Sequence, residues 1–207
     1  MSIYQLSNDE LLTLGNRILE NSQATPIQEA VATVGYDDTA FQEGQARYDA
    51  FAQAVQERQS EYGEQIGATD ALNDAWDAFH SQTYMPHVTI ARLVFDEGTQ
   101  ERLGITGTRP EAFGDYVQEA RRFYATLAGD DTLQQSMAAR GVTAETVTQA
   151  QADLDQLEAL DQTQEREIAE AQEATRIRND ARRIFADWLA DYQKFAAVAL
   201  AGQPQLL

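Results

Sequence analysis

Several residue types that build common active sites are missing or rare in this 207-residue chain. It has no cysteine, which excludes disulfides, thiolate metal sites and cysteine nucleophiles, and which suits a reducing compartment. Only two histidines are present, so we expect neither a single-chain catalytic triad nor a zinc enzyme. The sequence therefore predicts a non-enzymatic protein without a cofactor.

Long apolar stretches are also missing. The longest apolar run covers residues 195–201, far short of the roughly 20 residues that span a bilayer. The first residues, MSIYQLSNDELL, have neither the basic nor the apolar part of a secretory signal. We therefore expect a soluble, cytoplasmic protein that does not engage a membrane.

Basic residues are scarce as well, and lysine most of all. Lys194 is the only lysine, and 15 basic residues stand against 34 acidic ones. The net charge of −19 disfavours nucleic acid as a partner, because phosphate binding needs a basic footprint. An acid excess with little lysine is typical of halophilic adaptation, in which carboxylates keep a protein hydrated at high salt. A GC-rich genome, which favours arginine codons, is the alternative explanation.

What the sequence does contain is an internal repeat. The segment ATDALNDAWDAF at 68–79 returns 106 residues later as ATRIRNDARRIF at 174–185. The same offset pairs residues at helix boundaries, such as Gly35 with Gly141. We therefore divide the chain into repeat 1, residues 1–106, and repeat 2, residues 107–207, and expect them to form one intertwined unit.

Capping signals place three helices in each repeat. Repeat 1 is predicted to contain helices at 7–21, 26–34 and 37–96, and repeat 2 at 109–128, 132–140 and 143–200, with residues 98–108 as the connector. The predicted N-caps are Ser7, Thr25, Asp37, Thr108, Asp131 and Thr143. Gly35 and Gly141 are predicted to end the two short helices.

The third helix of each repeat is unusually long. Between 37 and 96 the apolar residues keep one heptad phase, which predicts a continuous helix with Leu93 in its apolar seam. Gly63 and Gly67 favour the alternative, a hairpin near residue 67. The equivalent part of repeat 2 has neither glycine nor proline. We therefore favour continuous helices of about 55 to 60 residues, the first one kinked at Pro86.

Two such helices, related by the repeat, would pair antiparallel. The predicted fold is an all-α, internally duplicated helical bundle with two very long antiparallel coiled-coil-like helices and shorter helices packing at each end. Tyr48 would then lie near Tyr192, and Leu93 near Val147.

Two groups of residues are candidates for chemistry in the first repeat. Asp77 and His80 have the carboxylate-x-x-His spacing of helical di-metal sites, because residues three apart share a helix face. Repeat 2 lacks this motif, and without it the pair is a surface aspartate beside a half-buried histidine. Trp76, His80 and Tyr84 belong to an aromatic stripe, which indicates either core packing or a slot for a ligand.

The basic cluster of the sequence is a possible interaction patch. It consists of Arg176, Arg178, Arg182 and Arg183. These side chains could receive an acidic partner or a phosphate, or they could pair with neighbouring carboxylates. We interpret the protein as a non-enzymatic acidic helical scaffold or protein-interaction protein, with a protein partner or self-association. The alternative is a helical-bundle protein that binds a metal or a small apolar ligand near Trp76, His80 and Tyr84.

Overall fold

The computed structural model describes residues 2–202, and their regular secondary structure is entirely helical. After a 3₁₀ turn at Ile3–Gln5, the helices are α1 (Asn8–Asn21), α2 (Thr25–Ala32), α3 (Asp38–Ala78), α4 (Met85–Val94), α5 (Glu97–Leu103), α6 (Phe113–Ala128), α7 (Asp131–Ala138) and α8 (Ala144–Ala199). A π-helical segment, Phe79–Tyr84, joins α3 to α4. Met1 and the end of the predicted second repeat, 203–207, lie outside the described residues.

Side-chain caps explain where several helices begin. The Ser7 hydroxyl accepts a hydrogen bond from the Glu10 amide, and the Glu10 carboxylate accepts one from the Ser7 amide, which confirms the predicted capping box. These bonds lower the pKa of Glu10. The Asp37 carboxylate and the Thr143 hydroxyl accept backbone hydrogen bonds in the same way at the starts of α3 and α8.

The caps predicted for the two short helices are wrong by one residue. Thr25 is the first residue of α2, and Ala24 before it offers no side-chain acceptor. The cap of α7 is Asp130, whose carboxylate accepts two backbone hydrogen bonds, and Asp131 is the first helical residue. Asp130 is also bound by Arg102 at 2.9 Å, which fixes the carboxylate in the capping position.

The connection between the repeats also differs from the prediction. The segment 98–108 is not a plain connector, because most of α5 lies within it. The carboxylate of Asp96, just before the segment, caps this helix by accepting a hydrogen bond from the Thr99 amide. Helix α6 begins at Phe113 rather than at 109. Pro110 disfavours helical backbone at Arg109. The Arg109 guanidinium instead binds loop carbonyls and reaches toward α6, so the capping box expected at Thr108 does not form.

The two long helical paths do not turn back at their centres. Helix α8 is continuous over 56 residues. In the first half of the chain, α3 runs through both Gly63 and Gly67, and the helical path continues through the π-helical segment into α4. The hairpin alternative near residue 67 is therefore wrong.

Pro86 acts through the π-helical segment that precedes it. Proline has no amide hydrogen, so it cannot donate the usual helical hydrogen bond to the residue four positions earlier. The amide of Met85 bonds to the carbonyl of His80, five residues back, which is the π-helical spacing. The wider π-helical turn therefore accommodates the proline without breaking the helical path. It also changes the helical phase between α3 and α4.

The described chain divides into two compact units. Unit 1 consists of residues 2–64 and 168–202, and unit 2 of residues 65–167. Helices α3 and α8 contribute to both units, so each unit contains segments from the first and the second half of the chain.

Within unit 1, α1 and α2 pack on the N-terminal part of α3 and the C-terminal part of α8. The ring centroids of Phe41 and Tyr192 are 5.6 Å apart, and those of Tyr48 and Phe185 are 5.5 Å apart, so α3 and α8 run antiparallel here. Tyr48 was expected beside Tyr192, two turns further along α8. The observed register follows from Gly44, which leaves space for the Trp188 ring.

Unit 2 places α4, α5, α6 and α7 around the remaining parts of α3 and α8. Val88 and Ala91 of α4 are fully buried, whereas Leu93 is 83% exposed. The predicted seam position of Leu93, close to Val147, is therefore wrong. The π-helical segment shifts the heptad phase carried by α3, and it turns a different face of α4 toward the core.

Candidate functional site

The aromatic stripe predicted around Trp76, His80 and Tyr84 lies in unit 2. The Trp76 ring is half-buried, with its centroid 5.0 Å from that of Phe113 and 5.3 Å from that of Tyr116. Tyr84 is completely buried, and its ring packs edge-on against Tyr116 at 5.3 Å. The His80 ring also neighbours Tyr116, so all three predicted residues surround that ring. Tyr84 belongs to the core, and Trp76 packs against it.

Two histidine–tyrosine pairs connect this part of the chain to α6. The Nδ1 atom of His80 lies 3.0 Å from the Tyr116 hydroxyl, and the Nδ1 atom of His87 lies 3.0 Å from the Tyr124 hydroxyl. Burial lowers the pKa of His87 and raises the pKa of Tyr124. The Nδ1 atom of each histidine and the hydroxyl of each tyrosine therefore satisfy one another beside the apolar core.

A buried ion pair completes the polar network. The Tyr84 hydroxyl donates a hydrogen bond of 2.8 Å to Glu119, and the Arg109 guanidinium binds the same carboxylate oxygen at 2.5 Å. The side chains of Arg109 and Glu119 are only 9% and 17% exposed. Burial, together with the bond to Glu119, raises the pKa of Tyr84. The network ties the π-helical segment to α6 and the loop before it.

The candidate metal ligands Asp77 and His80 lie in different surroundings. Asp77 is exposed, whereas the His80 ring is half-buried and its Nδ1 atom is engaged with Tyr116. Across residues 2–202, neither side chain belongs to a group of three carboxylate or histidine ligands close enough to hold one ion. The structure thus adds no further ligand to the sequence motif.

The four arginines of the predicted interaction patch fall into two sets in unit 1. Arg176 and Arg183 are exposed and form ion pairs along α8. Arg178 and Arg182 are half-buried. The Arg182 guanidinium donates hydrogen bonds to the Asn8 side chain and to the Leu6 carbonyl, so it fixes the start of α1.

An apolar groove lies between α3 and α8 in unit 1. It has a volume of about 430 Å³, and its surface is mostly apolar. The lining residues are Glu43, Ala46, Arg47, Ala50, Arg176, Ile177, Asp180, Ala181 and Ile184. Ile177 and Ile184 are each 42% exposed and lie seven residues apart, on one face of α8. We call this surface the unit 1 groove.

The rim of the unit 1 groove is balanced in charge. Arg47 pairs with Glu43 on α3, while Arg176 pairs with Glu173 at 2.6 Å and with Asp180 at 3.1 Å on α8. Arg183 approaches Asp180 at 3.7 Å. Two bases, Arg47 and Arg176, and two acids, Glu43 and Asp180, therefore line the groove, although acids outnumber bases 34 to 15 in the whole chain.

Neither the unit 1 groove nor the buried ion pair of Arg109 and Glu119 was predicted from the sequence. The spacing of Ile177 and Ile184 was a usable signal, since two isoleucines seven apart in a polar stretch share a helix face. No signal of that kind existed for Arg109 and Glu119. They are ten residues apart, but one is in a loop and the other in a helix, so only the tertiary fold joins them.

In the described part of the chain, every helix is too short or too polar to cross a membrane. No protein-family model, curated protein or solved structure matches the chain.

Proposed function

We propose that the protein is a non-enzymatic acidic helical scaffold that self-associates through the unit 1 groove. The occupant of the groove is a second copy of the same chain. The observation that carries this proposal is the pair of partly exposed isoleucines, Ile177 and Ile184, set between rims of balanced charge.

The apolar part of the groove provides the attraction. Full burial of an isoleucine side chain contributes about 1.5–3 kcal/mol. Covering the exposed part of Ile177 or Ile184 therefore contributes roughly 1 kcal/mol for each side chain. A twofold contact uses the same residues on both copies and therefore doubles this contribution. The alanines Ala46, Ala50 and Ala181 keep the floor shallow, which allows a helix of the second copy to approach closely.

The charges favour a second copy over an unrelated partner. Two chains of net charge −19 repel each other over most of their surfaces. At the groove the charges balance, and a twofold arrangement can place Arg176 or Arg47 of one copy beside Asp180 or Glu43 of the other. A basic partner would be drawn to the acidic remainder of the surface instead of this rim.

The polar network of unit 2 supports a structural role for the aromatic stripe. The Nδ1 atoms of His80 and His87, the Tyr84 hydroxyl and one oxygen of Glu119 all bind other protein groups. A catalytic group needs an accessible atom that can reach its substrate. The network therefore favours the scaffold over the ligand-binding alternative near Trp76.

We also infer that the scaffold arose by internal duplication, with α3 and α8 as corresponding coiled-coil-like helices. Gly35 and Gly141, 106 residues apart, end the two short helices with φ angles of 92° and 91°. The amide after each glycine bonds to a carbonyl five residues back at 3.1 Å, from Tyr36 in one case and Val142 in the other. The shared geometry supports the repeat alignment. The absence of cysteine and the acid excess support a cytoplasmic location and halophilic adaptation.

Sedimentation velocity in 1 M KCl tests the self-association. The wild-type chain is expected to sediment as a dimer, and Ile177→Glu and Ile184→Glu, measured separately, as monomers with unchanged helical circular dichroism. Leu93→Glu is the matched control, because it adds the same charge at an 83% exposed leucine of unit 2. A wild-type monomer at millimolar concentration, or equal dissociation by Leu93→Glu, would refute the groove as the interface.

A further inference from the structure

Unit 1 carries a second unusual feature, a cluster of three arginines without carboxylate partners. Arg58 lies on α3, and Arg178 and Arg182 lie one turn apart on α8. Burial lowers the pKa of Arg178, and the positive charges of Arg58 and Arg182 lower it further. The ring centroids of Phe51 on α3 and Phe185 on α8 are 6.1 Å apart. Arg58 and Arg178 each lie seven residues further along these antiparallel helices, so they are neighbours across the helix pair. Three like charges therefore lie close together in a chain that has more than twice as many acids as bases.

Arg178 is the central member of this cluster. Its Nε atom is buried and has no hydrogen-bond partner. Within residues 2–202, no carboxylate forms an ion pair with any of the three arginines. A buried, unsatisfied donor on a cation is unfavourable unless a ligand satisfies it.

The other two arginines are held in place by neutral groups. Arg182 donates from Nε to the Asn8 side chain at 3.1 Å and from Nη2 to the Leu6 carbonyl. The Arg58 guanidinium lies over the Tyr62 ring, 4.8 Å from its centroid. These contacts orient both side chains but leave both positive charges uncompensated.

We propose that Arg58, Arg178 and Arg182 form a binding site for a small phosphate-class oxyanion. A guanidinium presents parallel N–H groups that match two oxygens of a phosphate, and three guanidinium charges more than neutralise its charge of about −1.5 to −2 at pH 7. The strongly acidic remainder of the molecule disfavours a long polyanion, so the ligand is small. Free inorganic phosphate and the phosphoryl group of a small monoester share this chemistry.

The test is titration calorimetry and thermal melting of the full chain with inorganic phosphate, and in a parallel arm with glycerol 3-phosphate. The background is 0.5 M KCl, with ionic strength matched by KCl in the reference. Wild-type protein is expected to bind phosphate and to melt at a higher temperature with it. Equal affinity for glycerol 3-phosphate identifies an ester phosphoryl group as acceptable, and binding of phosphate alone identifies the free ion as the ligand.

Arg178→Gln removes the central charge and is expected to weaken phosphate binding by about 10-fold to 100-fold. Arg17→Gln is the control, since it removes the same charge from an exposed position of α1 in the same unit. Without phosphate, Arg178→Gln is expected to be at least as stable as wild type, because like-charge repulsion is relieved. Arg58→Gln gives an independent variant on the opposite helix.

Three results would overturn the proposal. The first is a wild-type response to phosphate that equals its response to KCl, which indicates an adventitious ion only. The second is wild-type affinity in both Arg178→Gln and Arg58→Gln. The third is a loss of stability in phosphate-free Arg178→Gln larger than in Arg17→Gln, which would assign Arg178 a structural role.

Discussion

Gly44 of α3 lies directly against the indole ring of Trp188 on α8. A Cβ atom built on Gly44 would stand 2.2 Å from Cζ2 of that ring, a distance that two carbon atoms cannot adopt. The indole itself is stacked on Tyr192, with 5.7 Å between ring centroids, and on Phe185, with 6.3 Å. Because its neighbours hold the indole in place, the glycine sets how closely the two helices approach in unit 1.

Gly44→Ala is therefore expected to destabilise the protein by about 1–3 kcal/mol through overpacking, although alanine is the better helix former. Gly63→Ala is the control, because Gly63 is in the same helix and a Cβ there meets nothing within 4 Å. It should stabilise the protein by about 0.5–1 kcal/mol. Urea unfolding of both variants measures the difference, and equal stabilisation by the two would disprove the close contact at Trp188.

The buried ion pair of unit 2 predicts a larger effect. Glu119→Ala would leave Arg109, whose side chain is 9% exposed, as an uncompensated charge and would also remove the acceptor of Tyr84. We expect a loss of about 3–5 kcal/mol in the free energy of unfolding. Arg121→Ala, which breaks exposed ion pairs on the same helix, should change it by less than about 1 kcal/mol. Similar losses in both variants would contradict the buried network.

His87 predicts a dependence of stability on pH. Burial holds its pKa in the folded protein below the usual 6.5, so the unfolded chain takes up a proton at higher pH than the folded chain. The stability that neutral His87 contributes is complete above about pH 6.5 and is lost as the pH falls toward the folded-state pKa.

His87→Asn removes this titration and keeps a polar atom near the position of Nδ1, beside Tyr124. Chemical denaturation between pH 5 and pH 7.5 is expected to give a shallower fall in stability for the variant than for wild type. Carboxylates that are capped or paired, such as Asp130, titrate at lower pH and are common to both proteins. Parallel curves for the two proteins would contradict the assignment.

The acid excess predicts a response to salt. Screening of the −19 net charge should raise the melting temperature from dilute buffer to molar KCl, since the Debye length falls from about 10 Å at 0.1 M to about 3 Å at 1 M. The same screening should favour the dimer. A melting temperature that does not change over this range would contradict halophilic adaptation. It would favour the alternative, an amino-acid composition set by a GC-rich genome.

The features that the sequence predicted are those in which a residue meets its own neighbours along the chain. Ser7, Asp37 and Thr143 cap helices through amides two or three residues away, so their roles can be read locally. The heptad phase likewise predicted that α3 continues past Gly63 and Gly67. Both kinds of signal depend only on spacing along the chain.

The features that the sequence did not predict depend on tertiary structure. The π-helical segment breaks the phase by which Leu93 was assigned to the core, and nothing at Leu93 itself reveals this. The spacing of Ile177 and Ile184 along α8 could not show that their side chains remain partly uncovered. The partner of Arg109, Glu119, could not be predicted either, because charge pairing across elements is set by the fold.

The division of the chain into units has a consequence for its synthesis. Unit 1 joins the two ends of the chain: the Tyr4 hydroxyl bonds to Asp187 at 2.8 Å, and Ser22 bonds to Tyr192 at 2.6 Å. These partners are 183 and 170 residues apart along the chain, so at a translation rate of about 5–20 residues per second they emerge roughly 10 to 40 seconds apart. Unit 2, the continuous stretch of residues 65–167, can fold during that interval. The apolar faces of α1 and α2 stay exposed until the C-terminal part of α8 has been made. Helices α1 and α2 are thus made well before the part of α8 that buries them, and a chaperone that shields them would act on the nascent chain before residue 168 appears.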